Sequence, residues 1–224
     1  SDESIDYNTF DALLKEQEIA GNGVILFGST GEGLAFSVEE RLKILDHIFS
    51  NDWKIPILAS VGGFQMQENL RWLDISSKYP LSGYLMVTPI YARPGLNGQI
   101  HWFSTLMDHA SAPCMLYNVP HRSGCELLLD AVHVLKNHPR FGALKEASGS
   151  LEKFKAFKQE LGNIPIYSGC DSLMPQLAQL GATGLVSVMS NVWPRDTQLF
   201  VRQCLEKKLV DQKLWEEASR AVNA

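Results

Sequence analysis

Short apolar runs recur along this chain, each ending in polar or glycine-rich residues and each followed by a stretch with helical periodicity. They occupy residues 24–27, 55–61, 84–87, 114–116, 142–144, 164–167 and 184–188. By subtraction, their starts lie 31, 29, 30, 28, 22 and 20 residues apart. Such connections are too long for hairpins and long enough for a helix, so the pattern predicts successive strand-plus-helix units with parallel strands. Leu42, Leu45, Ile48 and Phe49 fall on one helical face, as do Leu151, Phe154, Phe157 and Leu161. Ser37, with Glu40 three residues on, has the form of a capping box at the start of the first of these helices.

The fold class read from this alternation is α/β, a (β/α)8 TIM barrel. A doubly wound open sheet alternates in the same way, but no G-x-G-x-x-G follows any of the runs. Only seven strands are visible, whereas a closed barrel of this type needs eight. A helix predicted over residues 7–19 precedes the first run, so a first strand is missing. Either the sequence omits an N-terminal piece or the barrel closes in an unusual way; omission is the favoured expectation. The charged stretch 206–220 reads most simply as a solvated amphipathic helix.

Composition narrows the function classes. With 224 residues, 45% hydrophobic, 20% charged and a net charge of −5, the chain is long enough for a sizeable core, and one catalytic domain is the default. No apolar run approaches the roughly 18 residues of a membrane helix. No signal segment precedes the first helix, and the acidic balance leaves no nucleic-acid footprint. A cytoplasmic location is the default. Cys114, Cys125, Cys170 and Cys204 show no C-x-x-C spacing and are expected to be small buried or half-buried residues. The six histidines include no H-E-x-x-H, and no metal site is expected.

Candidate chemistry gathers where the strands run out, the place barrels of this kind use. Those ends carry Gly28-Ser-Thr-Gly-Glu32, Gly62-Gly63, Thr88-Pro-Ile-Tyr91, Tyr117-Asn-Val-Pro-His-Arg122, Lys145-Glu-Ala-Ser-Gly149 and Ser168-Gly169. Lys145 closes a buried run, where a cation needs a chemical reason. Desolvated by apolar neighbours, a lysine loses basicity, and its free amine can attack a ketone to form a Schiff base. The proton transfers this requires call for a hydroxyl within reach, and Tyr117, Ser29 and Tyr91 are the candidates. The Gly-Ser-Thr-Gly turn, read as opening a helix, would supply backbone N–H groups and hydroxyls to a keto acid's carboxylate. Arg122 could hold a second carboxylate bidentately.

Each of these has a plainer reading. A strand-end lysine is often solvated, the glycine turn could be an ordinary helix entry, the tyrosines could be packing residues, and Arg122 could be a surface ion-pair partner. Their joint occurrence at strand ends is what favours chemistry.

These residues carry a resemblance to the dihydrodipicolinate synthase and N-acetylneuraminate lyase family of class I aldolases. Gly28-Ser-Thr-Gly-Glu32 is similar to that family's G-[ST]-T-G-E signature and Tyr117-Asn-Val-Pro-His-Arg-Ser-Gly124 to its Y-N-x-P-x-R-T-G signature. Gly142-Ala-Leu-Lys-Glu-Ala-Ser-Gly149 resembles the strand that bears the Schiff-base lysine. The resemblance covers residues 5–194, taken as the barrel domain (1–194), with C-terminal helices at 195–224 that are short relative to the family.

The resemblance implies that Lys145 forms a Schiff base with pyruvate and needs no other cofactor, that Tyr117 shuttles protons, and that Ser29 and Thr30 bind the pyruvate carboxylate. It implies that Ser29 links Tyr117 to Tyr91, which in the family reaches into a neighbouring subunit's site, so that a homodimer or homotetramer is expected. Gly169 and Val186 match positions whose backbone lines the pyruvate pocket. Arg122 favours the synthase branch, where it would bind the carboxylate of aspartate 4-semialdehyde on the route to diaminopimelate and lysine. The alternatives are another pyruvate-dependent lyase, of N-acetylneuraminate or 2-keto-3-deoxy acid type, or a non-catalytic barrel. Ile90 and Phe64 depart from residues common in lysine-inhibited members, so feedback inhibition is not expected despite the matching Glu68. Ser168-Gly-Cys-Asp171 replaces the usual S-G-D-D and changes a charge near the pocket.

Overall fold

The computed structural model describes residues 5–223. Seven parallel strands lie side by side in chain order: β1 (Val24–Leu26), β2 (Ile57–Val61), β3 (Gly83–Val87), β4 (Cys114–Asn118), β5 (Phe141–Glu146), β6 (Ile166–Ser168) and β7 (Gly184–Leu185). Between and around them run α1 (Tyr7–Ala20), α2 (Val38–Phe49), α3 (Met66–Ser76), α4 (Leu96–His109), α5 (Pro120–Ser123), α6 (Leu129–Leu135), α7 (Leu151–Leu161), α8 (Met174–Gln179), α9 (Pro194–Leu205) and α10 (Gln212–Asn223). Unbroken sequential order is barrel topology; a doubly wound sheet reverses direction at its middle.

Among the described residues no ladder joins β7 to β1, and the sheet is an incomplete barrel. Helices bridge its two margins. Gln17 Nε2 donates to Ser190 O at 2.7 Å, Asn22 Nδ2 to Pro194 O at 3.3 Å, and Arg195 pairs with Glu16 at 3.0 Å. These contacts tie α1 to the start of α9 and hold the curl.

Both faces of the central strands are buried, and the parity of each residue decides which layer it joins. Tyr84 and Met86 of β3 and Cys114 and Leu116 of β4 face the helices, in a large core with Trp72, Phe103, Leu106 and Phe154. Leu85, Val87, Tyr117, Val119 and Ala147 form a second, smaller cluster on the concave side. The predicted helical faces turn inward: Leu45, Ile48 and Phe154 are fully buried, Phe157 and Leu161 nearly so, and Leu42, Phe49 and Leu151 are half-buried at the edges. The capping box of α2 is complete, with Ser37 Oγ accepting from Glu40 N at 3.2 Å and Ser37 N donating to Glu40 Oε2 at 2.8 Å.

Three local readings need correction. β5 runs two residues past its apolar core, so Lys145 and Glu146 sit inside the ladder, paired in register with Tyr117 and Asn118. β7 stops at Leu185 because the polar groups that follow turn to Asp171: Val188 N donates to Asp171 Oδ2 at 3.0 Å and Ser187 Oγ to Oδ1. The stretch 206–220 is not one solvated helix. Helix α9 ends at Leu205, Lys207 takes a left-handed φ of 57°, and α10 begins at Gln212. Trp215 of α10 is buried, stacked on Phe200 at 3.8 Å. Among the described residues no helix is long and apolar enough to cross a membrane.

Candidate active site

Lys145 and Tyr117 are register partners on adjacent parallel strands, and their parity sends both side chains to the concave face. The Lys145 Nζ stands 4.1 Å from the centroid of the Tyr117 ring, a cation–π approach. Only 9% of Lys145 is exposed, and among the described residues its amine has no hydrogen bond and no carboxylate within ion-pair distance. Burial therefore dominates, lowering its pKa from the usual 10.5 to about 8, against the opposing pull of Asp171 and Cys170. At neutral pH about a tenth of the amine is then unprotonated, against well under a thousandth for a solvated lysine.

The same burial acts on Tyr117 with opposite sign, pushing its phenol up to about 12. Arg122 and a hydrogen bond with the Ser29 side chain act the other way and are outweighed. Tyr117 is thus a neutral hydroxyl at physiological pH, able to donate and accept but not to serve as a standing base.

Ser29 and Thr30 lie exposed on the turn after β1, where the structure departs from expectation. This turn does not open a helix; α2 starts only at Val38, capped by Ser37. The amides of Glu32 and Gly33 are used locally, bonding to Ser29 O at 3.3 Å and Gly28 O at 3.0 Å. Those of Ser29, Thr30 and Gly31 have no protein acceptor among the described residues. An anion held here meets free amides and hydroxyls without a helix dipole behind them. The tight point of the turn is Gly33, since a Cβ there would run into the Phe27 backbone. Arg41 braces it from behind, its guanidinium 5.4 Å from the Trp72 ring centroid and donating to Gly33 O at 2.6 Å.

Arg122 projects from the short helix α5 with an exposed guanidinium that makes no hydrogen bond or ion pair among the described residues. Its positive charge works to lower the pKa of both Lys145 and Tyr117. Gly169 follows β6 and crosses directly over the lysine: its amide donates to Glu146 O at 2.7 Å, and a Cβ there would press on Lys145 Cε at 2.8 Å. Val186 continues β7 on the far side of β6, its amide bonded to Ser168 O at 2.8 Å. Tyr91 stands apart, 91% exposed, with a left-handed φ of 67° and no side-chain hydrogen bond among the described residues.

A family model spans residues 5–219, nearly the whole chain. The chain belongs to the dihydrodipicolinate synthetase family. It is 42% identical over 222 residues to a protein of Francisella philomiragia named 4-hydroxy-tetrahydrodipicolinate synthase, covering 98% of this chain and 75% of that one. A protein of Chlamydia felis with the same name is 40% identical over 219 residues, again covering 98% and 75%. Among solved structures, dihydrodipicolinate synthase from Aquifex aeolicus superposes with a TM-score of 0.89 at 26% identity, over 100% of this chain and 76% of that one. The chloride-inhibited synthase from Acinetobacter baumannii, solved with pyruvate, gives 0.88 at 26% identity, covering 98% and 76%.

Two acidic groups beside the candidate site carry no role that the sequence implies. Glu146, next to Lys145, faces the opposite way into the helix layer, where Asn118 Nδ2 and Ser148 N each donate to it at 2.6 Å. Burial raises its pKa, with both donors opposing. Asn118 also accepts from Leu127 N at 2.9 Å, so the pair fastens the ends of β4 and β5 together behind the reactive face. The strand period of two marks Glu146 as facing away from Lys145 once β5 is known to extend that far. Asp171, buried at 4%, had no such signal, because its setting depends on β7 and α10.

Proposed function

We infer that the chain condenses pyruvate with L-aspartate 4-semialdehyde to 4-hydroxy-tetrahydrodipicolinate, in the synthesis of diaminopimelate and lysine. The observation that carries this is a desolvated lysine lying on a neutral tyrosine at the strand ends of a family barrel. In this reading the Lys145 amine attacks the pyruvate ketone, and loss of water leaves an iminium. A proton leaves the methyl carbon to give the enamine, and that carbon attacks the semialdehyde's carbonyl. The amino group of the new chain then adds to the iminium carbon, closing the ring and expelling Lys145. No further cofactor is required, because the Schiff base is itself the electron sink.

Tyr117 carries protons to and from these intermediates, with Ser29 as its relay. Ser29 and Thr30 receive the pyruvate carboxylate at the free amides of the turn, and the backbone at Gly169 and Val186 lines the pyruvate side. Tyr91, almost wholly exposed, completes the relay in a partner subunit, so the working form is a homodimer or homotetramer. A cytoplasmic setting goes with this reading, in keeping with four cysteines that are free thiols.

Arg122 decides the branch. With its guanidinium unengaged it is suited to the semialdehyde's carboxylate. Arg122→Leu is expected to raise the KM for the semialdehyde about 10- to 100-fold, the scale of one charged hydrogen-bonded contact, while changing the trapping of pyruvate far less, through the small effect of its charge on Lys145. Steady-state kinetics with each substrate varied in turn separates the two effects.

The direct test supplies pyruvate with either aspartate semialdehyde or a panel of hydroxy-oxo and sugar-derived acids. Ring product from the semialdehyde supports the synthase. Cleavage of the acids with the semialdehyde inert would replace this reading with a retro-aldol lyase.

A further inference from the structure

The iminium, like the protonated amine it replaces, holds a full positive charge at a buried position, and an unpaired buried cation is costly. No carboxylate lies within ion-pair distance of Lys145 among the described residues, so the charge must be balanced from slightly farther away. The groups that weigh on the amine come from two elements: Asp171 and Cys170 from the turn after β6, and Arg122 from α5. Arg122 has the wrong sign. Burial raises the pKa of the Cys170 thiol and keeps it neutral. Asp171 is what remains.

Its position is over-determined. Gly169 leaves room for the lysine chain, since a Cβ there would press on Lys145 Cε, so the turn after β6 passes close to that side chain, and Asp171 follows two residues later. The carboxylate accepts from Ser187 Oγ and from Val188 N at 3.0 Å, both beyond the end of β7. The backbone of the same residue accepts from Trp215 Nε1 at 2.7 Å, and that indole is stacked on Phe200 of α9. Neutral donors hold the carboxylate, and among the described residues no cation pairs with it. Its charge is left to act on the site.

We propose that Asp171 is the fixed counter-ion of the Lys145 site, favouring the protonated amine before reaction and the iminium after it, and that α10 holds it in place through Trp215. This rests on the Schiff-base reading for its consequence but not for its test, because the amine can be titrated without pyruvate.

The test is carbamylation of Lys145 by cyanate in the full chain, followed by peptide mass spectrometry from about pH 6 to about pH 10, across the range where the amine titrates. In Asp171→Asn the midpoint is expected to fall by about one pH unit, with about a fivefold gain in reactivity at neutral pH. Half-maximal trapping of pyruvate by borohydride is expected to need several-fold more pyruvate. Ser187→Ala, which loosens the carboxylate but keeps its charge, is expected to move the midpoint much less. Asp171→Ser repeats the test should the asparagine variant fail to fold. A merely structural role predicts the opposite sign: the loosened site admits water and the midpoint rises toward that of a solvated lysine. A rise, or no movement, in a folded variant overturns the proposal. Failure of the wild type to trap pyruvate while the midpoint still falls would count against the proposed function and leave the counter-ion standing.

Discussion

Lys145→Met is expected to abolish the borohydride-stable pyruvate adduct and to lower kcat by about 10⁴-fold or more, the scale seen when a covalent nucleophile is removed from a unit that acts together. In the wild type the adduct maps to Lys145, and its rate of formation rises with pH and levels off above about 8 as the amine loses its proton. The same substitution should stabilise the fold. The folded-state pKa lies below the solvated 10.5, so between about pH 8 and 10.5 the unfolded chain binds more protons and stability rises with pH. Below that window the full penalty is present, on the order of 3 kcal/mol. Methionine, of similar length and uncharged, removes it. Chemical denaturation at neutral pH and at pH about 10 checks both statements: the variant is the more stable at neutral pH and lacks the wild type's rise. An adduct that survives the substitution would remove Lys145 from the mechanism.

Tyr117→Phe is expected to lower turnover by about 10²- to 10³-fold while leaving the fold intact, a typical loss for a positioned proton carrier. The ring that lies 4.1 Å from the amine is retained, so the packing and the cation–π contact persist and only the hydroxyl is lost. Pyruvate should still be trapped on Lys145, but slowly, because dehydration of the carbinolamine lacks its proton donor. Single-turnover trapping and steady-state kinetics together locate the defect: both should slow, with the KM for pyruvate little changed. A loss smaller than about threefold would assign the shuttle elsewhere. The phenol's pKa of about 12 also predicts no falling limb from Tyr117 ionisation below pH about 10.

Much of the candidate site was legible along the chain because its signals are local. The seven strands were visible since each is a buried run between polar turns, and their parallel order followed from connections too long for hairpins. Lys145 stood out because a cation closing an apolar run has few structural uses. The C-terminal region was misread because Trp215 and Phe200 lie fifteen residues apart by subtraction and meet only once α9 and α10 fold back on one another. The Gly28–Glu32 turn was misread as a helix entry for a related reason: a glycine-rich segment does not reveal where the next helix is capped, and here Ser37 does that.

By itself the sequence determined the strand-and-helix alternation, the faces that pack, the lysine, tyrosine and arginine proposed for the site, and the family pattern they resemble. All of these depend on residue type and short spacing, which the backbone periods of 2 and 3.6 turn into direction. Only the tertiary structure decided that Lys145 lies inside the ladder against Tyr117, that Glu146 fastens the back of the same strand, that Tyr91 stands free, and that Asp171 is carried to the mouth by β7 and α10. These are matters of register, burial and approach between distant segments. The pKa of a buried amine is set by what surrounds it in space, and its neighbours in sequence do not specify that.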